Sequence, residues 1–193
     1  MTSMVRNYKQ MAVSYCFITL CILAMSTGVG AQELEAKQVL AGKLVIQVPT
    51  ELQTMPKELI EIKFPNSNRP TDVLSDSTGG VTLAFNHTQN VLSPNQIREA
   101  HGVISNMFKN RYPSATWFRD EVSPLNGQEF IIMELITPAI DTQIHNIIYA
   151  TSIDDRLLFV AFNTTVEQSE QWLPIGKQIM ASIQVANSSL LVE

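Results

Sequence analysis

The sequence predicts one α+β domain, a twisted antiparallel β-sheet flanked by helices, and three observations carry that prediction. Short runs rich in β-branched and aromatic residues are punctuated by glycine or aspartate turn signals. Two stretches repeat apolar residues at helical spacing directly after capping residues. No Gly/Ser/Pro linker, internal repeat or low-complexity block divides them.

Taken in order, Lys43 to Val48 reads as a strand that stops at Pro49, which has no N–H to continue a ladder. In Glu58 to Phe64 the apolar residues alternate as in a strand, but Glu and Lys after Pro56 favour a short helix, which is the reading adopted. Gly79-Gly80 joins Asp72–Asp76 to Val81–His87 as a tight hairpin, with Val81, Leu83, Phe85 and His87 on one face of the second strand. Ser93-Pro94-Asn95-Gln96 is a capping box, and Ile97, Ala100, Ile104, Met107 and Phe108 form the apolar stripe of the helix it opens, which ends before Pro113. Asn126-Gly127 predicts a type I′ turn between Thr116–Val122 and Gln128–Thr137. Ile144–Ile153 and Arg156–Asn163 flank Asp154-Asp155 as a third hairpin. Thr164 with Glu167, or Thr165 with Gln168, starts a last helix with Trp172, Ile175, Ile179 and Ile183 on one side, kinked or broken at Pro174.

The N-terminus carries Arg6 and Lys9, then an apolar run from Met11 to Met25, then Val29-Gly30-Ala31. The run is shorter than the roughly 20 residues a spanning helix needs, so a signal peptide cut after Ala31 fits better than a retained anchor. The expected organisation is a signal peptide over 1–31, a short lead over 32–42, the domain over 43–185 and a tail over 186–193. Both cysteines, Cys16 and Cys21, lie in the part to be removed and follow bulky residues, so neither suits lipidation. The mature chain then has no thiol, which excludes a disulfide framework, a zinc–thiolate site and a cysteine nucleophile. It carries 11 basic against 18 acidic residues, a net charge of −7 compared with −5 for the whole chain. Such a surface repels phosphate backbones and excludes nucleic acid as a natural partner.

Phosphate loops, nucleophile elbows, H-E-x-x-H, C-x-x-C and EF-hand loops are absent from the mature sequence, and no cofactor is implied. His87, His101 and His145 are far apart in sequence, and the plain reading of His87 and His101 is a boundary histidine bonded to backbone. Asp154 and Asp155 read as a solvated turn rather than a calcium site. Glu129 and Glu134, five apart on a strand, face opposite sides and form no catalytic carboxylate pair. Trp117 and Phe118 must also point to opposite faces. The reading adopted is that helices cover both faces and neither ring is exposed; if one is exposed, Trp117, Phe118 and Arg119 are the candidate partner surface. Asn86, Asn163 and Asn187 each open a glycosylation sequon, relevant only to a chain exported by a eukaryote.

From Leu44 to Val185 the order of elements resembles the PsbP/DcrB-like group, most clearly in Gly80-Val81-Thr82-Leu83-Ala84-Phe85, in Leu157 to Asn163 and in Trp172 to Ile183. The resemblance implies a twisted antiparallel sheet covered by helices, and proteins that act by contact with other proteins. The group has no fixed catalytic motif, so no site residue is transferred. The chain departs from its lipoprotein members by lacking a lipobox, and from its cytosolic chaperones by its expected export to the periplasm or cell exterior. The expected function is that of a non-enzymatic accessory module docking onto another envelope or secreted protein. A holdase would instead need an exposed apolar groove, and an enzyme or metal-binding protein would need the histidines to converge with carboxylates.

Overall fold

The structure, a computed structural model, describes residues 33–65 and 69–186. The expected signal peptide and its cleavage site, the sequon at Asn187 and the tail beyond 186 lie outside the described residues.

Leu34–Val39 (β1) and Leu44–Pro49 (β2) form an antiparallel hairpin, so the expected lead over 32–42 is mostly strand. β1 carries Glu35, Lys37 and Gln38 on a largely exposed ribbon and shows no apolar alternation that would mark it. Its turn was equally hidden, because Leu40 and Ala41, which rarely take positive φ, do so beside Gly42 (53°, 54° and 84°). β2 buries Leu44, Ile46 and Val48 and ends at Pro49 as expected. Gln53–Thr54 (β3) leads into Lys57–Lys63 (α1), the short helix read from the sequence.

Asp72–Ser75 (β4) pairs with Val81–Val91 (β5), but not through a two-glycine turn. Only Gly79 has positive φ (70°), and the longer loop is closed by Asp76, whose carboxylate accepts from the Thr78 hydroxyl (2.5 Å) and the Val81 N–H (3.0 Å). After a 3-10 turn at Pro94–Gln96 comes Ile97–Arg111 (α2), and the Gln96 side chain accepts from the Ser93 N–H (3.0 Å) as a capping box requires. Ile97 and Ile104 are buried with Ala100 and Phe108 packed beside them, whereas Met107, expected in the stripe, is half exposed at its edge.

Thr116–Leu125 (β6) and Gln128–Pro138 (β7) are joined at Asn126-Gly127, where both residues have positive φ (48° and 85°) as a type I′ turn demands. Gln143–Ile153 (β8) and Arg156–Thr165 (β9) turn the same way at Asp154-Asp155 (52° and 54°). Ser169–Ala181 (α3) follows, with the Thr165 hydroxyl accepting from the Gln168 N–H (3.3 Å). Pro174 neither ends nor divides α3. It falls in the second turn, where one backbone bond is lost, and burial of Trp172, Ile179 and Met180 on either side holds the helix together. Gln184–Val185 (β10) adds a short strand to β2.

Among the described residues the strands form a seven-stranded antiparallel sheet in the order β3-β4-β5-β9-β8-β7-β6, and a three-stranded sheet, β1-β2-β10. The pleat sends alternate residues to two cores. Leu83, Phe85, Phe130, Ile147, Val160 and Phe162 meet α3 and β2 on one face. Ile131, Met133, Leu135, Ile148 and Leu157 meet α2 on the other. Burial of both faces is why the central strands read as near-continuous apolar runs.

Candidate functional site

β6 is the last strand of the large sheet, and its ladder to β7 slips between Trp117 and Arg119. Phe118 is the extra residue of this bulge, a device that re-aims a side chain. Trp117 turns toward the α2 face, half-buried against its core, with the Lys109 ammonium 5.3 Å from the ring centroid. Phe118 goes to the opposite face, as strand geometry predicts, and remains 56% exposed. Helices therefore do not cover both rings. Arg119 pairs with Glu121 two residues along the strand (2.5 Å).

Beneath Phe118 lies His145 of β8, the two rings stacked with centroids 5.3 Å apart and planes 12° from parallel. His145 is buried, and its Nε2 donates to Glu134 Oε1 of β7 (2.9 Å). The same oxygen receives Lys177 Nζ of α3 (3.2 Å). The glutamate side chain is only 12% exposed, and its negative charge is compensated by this ammonium. Burial pushes the hydroxyl of Tyr149, beyond Ile147 on the same face of β8, above its ordinary range.

On the other face Asp120 is a second hub. His101 Nε2 (2.7 Å), the Ser105 hydroxyl (2.5 Å) and Lys109 Nζ (2.7 Å) all donate to its carboxylate. Burial alone would raise the Asp120 carboxyl, but these three bonds outweigh it and hold it below the usual carboxylate range. Serine, histidine and aspartate are thus together without forming a nucleophilic relay. Both Ser105 and His101 spend their hydrogens on the aspartate, where catalysis would need the imidazole to accept from the hydroxyl. The expectation that His101 bonds to backbone is corrected: its partner is a side chain. His87 does bond to backbone, at the Ile153 carbonyl (3.0 Å).

The three histidines serve three separate sets of partners, and among the described residues no group of three or more histidine, cysteine or acidic side chains is placed to hold a metal. Glu129 and Glu134 do face opposite sides, the first pairing with Arg98 and the second with His145 and Lys177. Asp154 is more than a solvated turn, since Lys43 reaches it (2.5 Å) and lowers its carboxyl below the ordinary range. An apolar cleft of about 300 Å³ lies between the end of β5 and α2, with Val91 and Val103 exposed on its rim. No helix among the described residues is long and apolar enough to cross a membrane.

Sequence reasoning singled out Phe118 but missed both hubs. The spacing of His101, Ser105 and Lys109, four apart along α2, was a readable sign that they share a face. Glu134, His145 and Lys177 come from three elements, and no local pattern joins them.

No family model matches the chain, and no curated protein does. Solved structures do. The cyanobacterial PsbP protein (CyanoP) of Synechocystis sp. PCC 6803 is 12% identical over 85% of this chain and 99% of its own, with a TM-score of 0.56. The Ran-binding protein Mog1p of Saccharomyces cerevisiae is 9% identical over 83% and 100%, with a TM-score of 0.52. Agreement along nearly the whole of both proteins, with the α+β arrangement described above, shows that this chain has the PsbP-like fold.

Proposed function

We propose that the chain is an exported, non-enzymatic accessory module that docks onto another protein of the cell envelope, with Phe118 as its principal contact. One observation carries this reading: an exposed aromatic, lifted by a bulge on an edge strand, lies flat on a buried histidine held by Glu134. Aromatic residues dominate interface energetics, and a ring already held in place loses less entropy on binding than a free one. The clustered ionisable groups support the same reading, because Asp120 and Glu134 are occupied in tying α2 to β6 and α3 to the sheet. Mog1p is a Ran-binding protein, so protein recognition is within the reach of this fold.

In this reading the leader is removed on export, and the mature product is expected to begin at Gln32. Its intact mass after secretion checks this; a full-length product would contradict it. Docking is tested by crosslinked capture from native envelopes with the wild-type protein and with Phe118→Asp. A specific partner recovered by the first and lost by the second is the expected outcome.

A further inference from the structure

The Phe118 ring rests on a titratable group rather than an inert one. Imidazole is the side chain that ordinarily changes charge between about pH 5 and pH 8. Among the described residues, the charged groups joined to His145 are Glu134 on β7 and, through it, Lys177 on α3, both meeting at Glu134 Oε1. The neutral Phe118 covers it from β6 and Thr164 lies across from it on β9, while Arg119 and Glu121 nearby are paired with each other. With His145 neutral, glutamate and lysine balance and the imidazole is a neutral donor. Because Nε2 already gives its hydrogen to Glu134, an added proton enters at Nδ1. The cluster then holds two cations against one carboxylate. His145 is buried and cannot leave, whereas the Lys177 side chain is 54% exposed and can move into water.

We propose that Phe118, His145, Glu134 and Lys177 form a proton-sensitive clamp, in which proton uptake by His145 releases Lys177 from Glu134 and fixes the Phe118 ring more firmly. The imidazolium presents a cation to the face of the ring, an attraction that neutral imidazole lacks. The consequence for partner binding rests on the docking role of Phe118 given above, but the clamp itself does not.

The test is an NMR titration of the mature protein, without any partner, between about pH 8 and pH 5. The Phe118 ring resonances and the Lys177 ammonium are expected to shift with the same midpoint as the His145 ring. Lys177→Met should raise that midpoint and Glu134→Gln should lower it, each by about one pH unit, since one removes a like charge and the other an opposite one. If Glu134→Gln fails to fold, the largely exposed Lys177→Met decides alone. Phe118 resonances that stay fixed while His145 titrates, a His145 that does not titrate in this range, or a midpoint indifferent to Lys177→Met would overturn the clamp. A working clamp in a protein that captures no partner would count against docking alone.

Discussion

Gly176→Ala is expected to lower folding stability by about 3 kcal/mol, at the top of the ordinary range for overpacking a core. Gly176 is buried in the middle of α3, and a Cβ placed on it would lie 2.3 Å from a ring carbon of Phe162. Phe162 is fully buried on β9 among Leu83, Val160 and Ile179, so the ring has no free volume to enter. The helix must lift or the ring must leave its rotamer. An alanine in a helix ordinarily stabilises relative to glycine, by about 1 kcal/mol, and the sign here is reversed because contact outweighs backbone entropy. Urea unfolding measures it; an alanine variant as stable as the wild type would mean that α3 does not pack this closely on β9.

Asp120→Ala is expected to cost about 2 kcal/mol, chiefly because the Ser105 hydroxyl, 4% exposed, is left with no acceptor. His101 and Lys109 can turn to water and contribute less. The pH dependence has a definite sign. The folded carboxyl lies below its ordinary value of 3.8, so its contribution is present above that value and is lost as pH falls through the folded one. The stability gap between wild type and Asp120→Ala should therefore be widest at neutral pH and narrow in strong acid, where the contribution of the ionised carboxyl is lost. Chemical unfolding at several pH values shows this directly, and a constant difference down to the acid limit would contradict it.

Most of the sheet was legible because its turns are chemical signals. Asn126-Gly127 and Asp154-Asp155 fix the two longest hairpins of the large sheet, since few residue pairs accept positive φ twice in succession. β1 escaped notice because its turn uses Leu40 and Ala41, residues that give no such sign, and because an exposed ribbon needs no apolar alternation. At Pro174 the break that the sequence allowed is absent for the opposite reason: tertiary packing on both sides of the proline keeps α3 continuous.

The candidate site divides in the same way. Strand alternation was enough to separate Trp117 from Phe118, but not to say which stays exposed, because that depends on where α2 and α3 end over the sheet. The bulge that places Phe118 on His145 arises from register between β6 and β7, a nonlocal property. Glu134 shows the limit most clearly. Its sequence position correctly excluded a pairing with Glu129, yet its true partners arrive from β8 and α3.

The docking role of Phe118 is tested most directly by comparing crosslinked capture from native envelopes with wild-type protein and Phe118→Asp, both first shown to be folded and exported. A partner enriched by the wild type and lost with the aspartate variant is the predicted result. Equal recovery by both proteins, or capture of nothing by either under conditions that recover known envelope complexes, would contradict it.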